Sequence, residues 1–212
     1  SIISAFYCKK AVTLHTLARP LTKLSTGLKW LTSRSGLGAS NIWEMGGFVY
    51  GNTDAAHPNL QYHCAPVYSQ WQGRRIQLKQ GYVLDCDQLR PKSRGEIKLR
   101  STDPHDRPAA YFNYLSHPDD TRELVEALRV MQDLLTQPAF DEFRGDRIEP
   151  APNLSSDNDL QAWVRAYATT DFPPCGTCRM GNDNMAVVDA QMQVRGIDNL
   201  RVIDASVMPD IV

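Results

Sequence analysis

The chain has 212 residues, which is enough for one large domain or two small ones with a sizeable buried core. Apolar residues make up 42% of the chain and charged residues 22%, so the composition is that of a globular protein and excludes the disordered and fibrous classes. A formal net charge of −1 from interspersed signs argues against a nucleic-acid binder that uses a basic face, and no apolar run is long enough to span a bilayer.

The N-terminal half reads as strands around one helix. Residues 1–7 are predicted to form a strand, and a helix is predicted over 17–33, where leucines recur at helical spacing until Gly36 and Gly38 end the pattern. We expect this helix to pack over a sheet. Residues 41–50 turn extended, and their Gly46-Gly47 pair indicates a bulge or a close backbone approach. Three more strands are predicted, at 59–67, 82–86 and 96–100, and the alternating basic run of the last one favours a solvated strand face.

The C-terminal half contains two predicted helices. One opens at His117 with acidic residues in its first turn and continues to Pro138. The other covers 156–168 with Ser156 as its N-cap, and short extended segments follow at 191–194 and 200–203. Strands, then helices, then returning strands predict an α+β fold. The sequence has no glycine-rich phosphate-binding loop, so a nucleotide cofactor would have to be held mainly by something else.

The segment Ala168 to Gly181 holds two cysteines, two prolines and two glycines, which predicts a rigid, irregular turn of the kind that often carries function. Cys175 and Cys178 have the spacing of a redox dithiol or of half a zinc site. A redox dithiol of the thioredoxin type needs a βαβ context, and a closed zinc site needs two further ligands. The sequence shows neither the βαβ pattern nor a second pair of ligands. Reactive thiols or bound zinc would favour these alternatives. The odd total of five cysteines does not suit a disulfide framework and favours a reducing compartment, hence a cytoplasmic location.

Three motifs near the C-terminus carry a resemblance to a known family. They are Cys175-Gly-Thr-Cys-Arg-Met-Gly, Ala186-Val-Val-Asp and Leu200-Arg-Val-Ile-Asp-Ala-Ser-Val-Met-Pro. Together with Glu44-Met-Gly-Gly-Phe-Val and Arg94-Gly-Glu-Ile-Lys-Leu-Arg-Ser-Thr-Asp-Pro-His, they make the chain similar to the glucose–methanol–choline (GMC) flavin oxidoreductases over nearly its whole length.

The resemblance implies an antiparallel sheet flanked by helices that roofs a flavin, in an enzyme that passes hydride from an alcohol to FAD. It implies a substrate-binding cap domain at 1–167 and a truncated return segment at 168–212 that carries the active-site and FAD-contact motifs. The chain is therefore expected to be a fragment. In the full-length protein, FAD is expected to be bound by an FAD-binding half that this chain lacks. The chain itself is expected to retain no FAD. Association with the inner face of a membrane, without a transmembrane segment, is also compatible with the family.

The resemblance assigns four site residues. Asp204 and Ala205 match positions that approach the FAD, largely through backbone. Glu44 matches a carboxylate that faces the trimethylammonium group in choline-oxidising members, and Trp43 could add an aromatic face. The expected partner is thus a small alcohol such as choline. From the residues alone, Glu44 also reads as an ordinary sheet-edge residue, and Asp204 as a turn cap.

One position departs from the family pattern. A histidine that acts on the substrate hydroxyl precedes the Pro-Cys-Gly-Thr-Cys motif in the family, whereas Pro173 stands there in this chain, and proline cannot act as a base. The second catalytic member would lie beyond Val212, so no catalytic residue is assigned. None of the five histidines is an obvious substitute, and His63 is the least improbable. The alternative function is a catalytically dead module that binds a quaternary ammonium or a partner.

Overall fold

The computed structural model describes residues 1–51, 55–72 and 74–211. They form two compact units: Ser1–Gln88 with Thr121–Ala168, and Leu89–Asp120 with Thr169–Val212. In the described ranges the strands are β1 Ile2–Cys8, β2 Met45–Val49, β3 Leu60–Ala65, β4 Tyr68–Gln72, β5 Arg75–Lys79, β6 Gly81–Gln88, β7 Glu96–Lys98, β8 Ala109–Tyr111 and β9 Arg144–Glu149. The helices are α1 Pro20–Ser33, α2 Pro118–Leu135 and α3 Asp157–Tyr167. The division at residue 168 inferred from the family stays a prediction.

A five-stranded antiparallel sheet organises the first unit, in the order β2-β3-β6-β1-β9. The expected α+β fold with an antiparallel sheet and flanking helices is confirmed. The predicted strands at 1–7, 41–50, 59–67 and 82–86 correspond to β1, β2, β3 and β6. The hairpin β4–β5 and the strand β9 escaped the sequence analysis.

Helix α2 covers one face of this sheet. The Tyr62 hydroxyl on β3 donates a hydrogen bond to the Ala127 carbonyl at 3.2 Å, inside the core. The side chains of Leu128, Met131 and Leu135 are fully buried. Burial of an aliphatic side chain of this size contributes about 1.5–3 kcal/mol, so the apolar stripe of α2 is a main source of the stability of this unit.

The opposite face of the sheet has a smaller core. Ala5, Ala65 and Val83 lie on adjacent strands and pack against Tyr68 of the hairpin β4–β5. The Tyr68 hydroxyl also lies 3.3 Å from a carboxylate oxygen of Glu149 at the end of β9. The hairpin that the sequence analysis missed is therefore a structural cover for this face.

Helix α1 differs from its expectation. It exists, but none of its residues is buried, and its leucine stripe is exposed, from 55% at Leu28 to 82% at Leu21. The prediction that it packs over the sheet is therefore wrong for the described structure. The spacing of the leucines correctly predicts which face of the helix is apolar. It does not predict what covers that face.

The Gly46-Gly47 pair was given two interpretations, and the structure separates them. Strands β2 and β3 pair in continuous register from Met45–Cys64 to Val49–Leu60, so the bulge interpretation is wrong. The close approach is confirmed, because a Cβ atom at Gly46 would lie 2.6 Å from the Tyr62 carbonyl oxygen. A side chain at position 46 would therefore push the edge strand β2 off the sheet.

In the second unit, the buried carboxylate of Asp120 fixes the chain ahead of β7. It accepts hydrogen bonds from the backbone N–H groups of Lys92 and Ser93, both at 2.8 Å, and from the Ser93 hydroxyl. Strand β7 then pairs with β8, and all three β7 residues are exposed, as expected for a solvated strand face.

The N-cap of α3, in the first unit, is also as predicted, with the Ser156 hydroxyl accepting a hydrogen bond from the Asp159 N–H at 3.2 Å.

Candidate functional site

The C-terminal motifs assemble in the second unit. The Cys178 N–H donates to the Ser206 carbonyl at 2.9 Å, and the Met180 N–H donates to the Val207 carbonyl at 2.8 Å. Gly176 has a φ of +84°, a conformation that a side chain would strain. The glycine between the two cysteines therefore lets the chain turn so that this segment runs beside 205–209.

Val188 connects the remaining motif to this pair. It is fully buried and forms isolated bridges with Met180 and with Val194. The Val194 N–H in turn donates to the Leu200 carbonyl at 2.9 Å. The three motifs that are separate in sequence are thus one hydrogen-bonded assembly.

An ion pair fixes the loop within this assembly. Both terminal nitrogens of the Arg179 guanidinium bind the Asp183 carboxylate, at 2.9 and 2.6 Å. These bonds, with one from the Met185 N–H, hold the pKa of the Asp183 carboxyl well below its usual range. Arg179 and Asp183 were not singled out in the sequence, although their spacing of four residues is a signal that could have found them. Their role is to fix the loop between the motifs.

Pro173 lies on an exposed, strained turn. Phe172 before it has a φ of 66°, which bulky residues rarely adopt, and its ring is 83% exposed. The Phe172 N–H donates to the Thr170 hydroxyl at 2.9 Å. Backbone strain of this kind costs about 1–3 kcal/mol and is concentrated at functional sites. The predicted irregular turn is confirmed, and no group on Pro173 can exchange a proton.

Asp204 and Ala205 present backbone and carboxylate groups to solvent. Within the described residues, neither backbone N–H donates a hydrogen bond, and both residues are exposed. The Asp204 carboxylate accepts a hydrogen bond from the Ser206 N–H at 2.8 Å. Hydrogen bonds from the Ser206 side chain and from its N–H lower the pKa of the Asp204 carboxyl. It is therefore also the turn cap that the residues alone suggested. Two free N–H groups beside a carboxylate can bind a ligand that carries both hydrogen-bond acceptors and hydrogen-bond donors.

Trp43 and Glu44 lie in the first unit, just before the edge strand β2. The Trp43 ring packs edge-on against His63 with 5.9 Å between ring centroids, and 45% of its surface is exposed. The Glu44 side chain is exposed and lines an open cleft with residues of α1. Both side chains are accessible, but their surroundings differ: the Trp43 ring contacts His63, whereas Glu44 lines the cleft beside α1.

His63 is the histidine whose ring contacts Trp43. It lies on β3, half-buried, with Nε2 3.5 Å from a carboxylate oxygen of the buried Asp87 on β6. The sequence indicated His63 but not Asp87, because only the β3–β6 register places the two residues on one face of the sheet. An imidazole oriented by a carboxylate can move a proton.

The five cysteines fall into two classes. Cys8, Cys64 and Cys86 are buried in the sheet, and burial raises the pKa of the Cys64 and Cys86 thiols. Cys175 and Cys178 are half-buried and not bonded to each other. In the part of the chain that the structure describes, neither belongs to a cluster with metal-ligand geometry. The turn around Gly176 is also not the start of an α-helix, so the dithiol interpretation lacks its structural context.

Comparison with known proteins identifies the family. Residues 91–212 match the sequence profile of the GMC oxidoreductases, and the chain belongs to this family. It is 42% identical over 207 residues to an oxygen-dependent choline dehydrogenase of Klebsiella pneumoniae subsp. pneumoniae, and 41% identical to that of an Escherichia coli strain. The matches cover 98% of this chain and 37% of those relatives, so the chain spans little more than a third of their length.

Solved structures share the fold. Formate oxidase superposes with a TM-score of 0.85 at 24% identity, over 99% of this chain and 42% of that one. Pyridoxine 4-oxidase from Mesorbium loti gives a TM-score of 0.75, also at 24% identity, over 99% of this chain and 38% of its own. The α+β architecture is thus that of GMC oxidoreductase structures.

Among the described residues, no helix combines the length and apolarity needed to cross a bilayer. The expected cytoplasmic location stays a prediction.

Proposed function

We propose that this chain is the substrate-binding part of an FAD-dependent alcohol dehydrogenase that oxidises choline, or a related primary alcohol, to the aldehyde. The observation that carries the proposal is the 42% identity to choline dehydrogenase over 98% of the chain. Since the chain spans 37% of that relative, we propose that it is inactive in isolation. A chimera tests this: the chain replaces the matching region of the Klebsiella pneumoniae enzyme, and choline oxidation is measured. A folded, FAD-loaded chimera that oxidises neutral alcohols but never binds choline would contradict the proposal.

Trp43 and Glu44 supply the chemistry for a quaternary ammonium. Such a cation has no N–H to donate, so it is bound by charge and by aromatic faces rather than by directed hydrogen bonds. The accessible Glu44 carboxylate and the half-exposed Trp43 ring provide one of each. In the described structure no protein group occupies the Glu44 carboxylate with a hydrogen bond or ion pair. A ligand cation therefore has no internal competitor for it.

Replacing Glu44 with glutamine is expected to weaken choline binding by about fivefold, because a partly exposed charge contact of this kind is worth about 1 kcal/mol. Binding of an uncharged alcohol of the same shape, with carbon in place of the quaternary nitrogen, is expected to stay unchanged. The measurement is the KM of the chimera for each alcohol.

The matched control is Glu142→Gln, which removes the same charge from an exposed residue that pairs with Lys10. It is expected to leave both KM values unchanged. Equal losses for the charged and the neutral alcohol in the Glu44→Gln variant would show that Glu44 does not contact the ammonium group.

The FAD of this family would be approached by Asp204 and Ala205. When bound, FAD supplies the two-electron acceptor for the hydride of the alcohol. The free backbone N–H groups of both residues can bind its carbonyl or phosphate oxygens, and the ionised Asp204 carboxylate can accept from a hydroxyl. These are few contacts for so large a cofactor.

The purified chain is accordingly expected to be colourless, with substoichiometric FAD after addition of excess cofactor and desalting. The visible flavin absorbance relative to the protein absorbance gives the ratio. Stoichiometric FAD retained by the chain would show that residues of this chain bind most of the cofactor. It would contradict the proposal that FAD is held mainly by a part of the protein outside this chain.

Pro173 favours a second candidate function. The exposed turn lacks the histidine that the family uses as its base. The second candidate is therefore a catalytically dead module that still binds a quaternary ammonium or a partner. The chimera distinguishes the two: the dead module binds choline but does not oxidise it.

A further inference from the structure

Helix α1 turns its polar side toward its own chain. Thr22, Ser25, Thr26 and Lys29 line an open cleft together with the loop that follows the helix. A Cβ atom at Gly38 in that loop would lie 3.4 Å from the Thr26 methyl group, so the loop packs directly on this side. The orientation is the reverse of that in an ordinary surface helix, which buries its apolar stripe and exposes its polar residues.

The leucine stripe of α1 consequently faces away from the rest of its unit. Each of its four leucines is more than half exposed: Leu21, Leu24, Leu28 and Leu31. The hydroxyl groups beside the stripe are satisfied inside the helix, since Ser25 donates to the Thr22 carbonyl at 3.0 Å and Thr32 donates to the Leu28 carbonyl at 2.9 Å. A contiguous row of exposed leucines without competing polar groups indicates a binding surface.

The charges around this stripe have one sign. Residues 1–43 contain six of the 23 lysines and arginines of the chain and none of its 24 aspartates and glutamates. With 3.6 residues per turn, Lys23 and Lys29 fall on opposite borders of the leucine stripe, while Arg19 and Arg34 flank the two ends of the helix. The whole chain has a formal charge of only −1, so this positive charge is a local feature of the α1 region.

A leucine stripe with lysines along both borders is the pattern of a helix that lies in the interface of an anionic membrane. The leucines enter the boundary between headgroups and acyl chains, and the flexible lysine stems keep their ammonium groups at the phosphates. The electrostatic attraction acts over about 10 Å of solution, so it does not require the lysine side chains to be held in one conformation. With 14 residues, α1 is too short to span a bilayer.

We propose that α1 docks this protein on the surface of a membrane that contains anionic lipids. The charge favours this occupant over a second copy of the chain, because in a symmetric dimer the lysines beside one leucine stripe would lie along the lysines of the other. The proposal goes beyond the proposed function and does not depend on it, since it concerns the leucine face of α1 and not the alcohol.

Co-sedimentation of the full chain with vesicles tests the proposal. Vesicles of phosphatidylcholine alone are compared with vesicles in which about a third of the lipid is phosphatidylglycerol, at low ionic strength. One basic residue near an anionic surface changes the binding constant by about fivefold, so the cations of α1 together are expected to give about 100-fold tighter binding to the anionic vesicles. Added salt is expected to reduce this preference, because ions screen exposed charges.

Two variants separate the apolar and the electrostatic contributions. Leu24→Ala is expected to weaken binding to anionic vesicles by about tenfold, because it removes apolar surface that the bilayer buries. Lys23→Gln is expected to weaken it by about fivefold and to leave binding to phosphatidylcholine unchanged. The matched controls are Leu134→Ala, exposed on α2, and Lys98→Gln, whose ammonium group is paired with Glu96; neither is expected to change binding.

Weaker vesicle binding in both α1 variants, with unchanged controls and with helical circular dichroism retained, supports membrane docking. Absence of vesicle binding, or equal effects of the α1 and control variants, overturns it. A lipid-free dimer that Leu24→Ala dissociates, seen by sedimentation velocity without vesicle binding, assigns the face to a second copy instead.

The chimera with the Klebsiella pneumoniae enzyme supplies the last test. The effects of Leu24→Ala and Lys23→Gln on vesicle binding are expected to recur there. Their loss in the chimera would show that another part of the full-length enzyme covers the leucines, and would overturn the proposal. Choline oxidation by the same chimera is measured separately, so failure of membrane docking and failure of the proposed function are distinguishable.

Discussion

Replacing Pro173 with histidine is expected to raise the kcat of choline oxidation by about 100-fold, since a positioned general base contributes about 10²–10⁴-fold. The effect is expected in the chimera with the Klebsiella pneumoniae enzyme, which supplies the parts of a choline dehydrogenase that lie outside this chain. Pro173 is exposed on the turn before the Gly-Thr-Cys motif, so an imidazole there meets no steric obstacle from a packed core. Steady-state rates of choline oxidation measure the gain.

Two control variants show whether the gain comes from a base. Pro173→Ala removes the ring constraint without adding an imidazole, and Pro174→His places the same imidazole one residue away; neither is expected to raise kcat. The gain should also increase with pH through the range where histidine loses its proton, near its usual pKa of about 6.5. An alanine variant as fast as the histidine variant would show that backbone geometry, not proton transfer, limits the rate.

Replacing Leu128 with alanine is expected to cost about 2–5 kcal/mol of unfolding free energy, because the side chain is fully buried between α2 and the sheet and its removal leaves a cavity. Leu134→Ala is the matched control on the same helix, since Leu134 is 48% exposed. Its cost is expected to stay within about 0.5 kcal/mol.

Urea unfolding of the chain, followed by the helical circular dichroism signal, measures both values. Equal costs for the two leucines would mean that α2 does not pack on the sheet as described. The comparison also shows whether the first unit has a stable core of its own, which the FAD-retention experiment on the purified chain requires.

The sequence predicted the elements whose local pattern agrees with their tertiary role. Helix α2 has acidic residues in its first turn and an apolar stripe that the sheet buries, so pattern and packing agree. The strand β3 alternates in burial as it alternates in sequence. The hairpin β4–β5 was missed although β5 alternates polar and apolar residues, because the packing of Tyr68 onto the sheet depends on tertiary structure that the sequence does not show.

The sequence indicated candidate residues only where they lie close together in the chain. Trp43 and Glu44 are neighbours, and the motif around Pro173 is continuous; the roles of these residues stay predictions. The proximity of His63 and Asp87 depends on the β3–β6 register. It does not follow from spacing, because the linear sequence does not show which strands pair or in what register.

The unequal burial of the five cysteines makes the candidate active-site segment directly accessible to thiol chemistry. The three thiols in the sheet are buried, and burial raises the pKa of two of them, Cys64 and Cys86, so they form little of the reactive thiolate. Cys175 and Cys178 are only half-buried and follow Pro173 by two and five residues. A brief maleimide reaction on the folded chain would therefore place a fluorophore or spin label beside Pro173 without any engineered cysteine, and its signal would report directly when alcohol or cofactor reaches this turn.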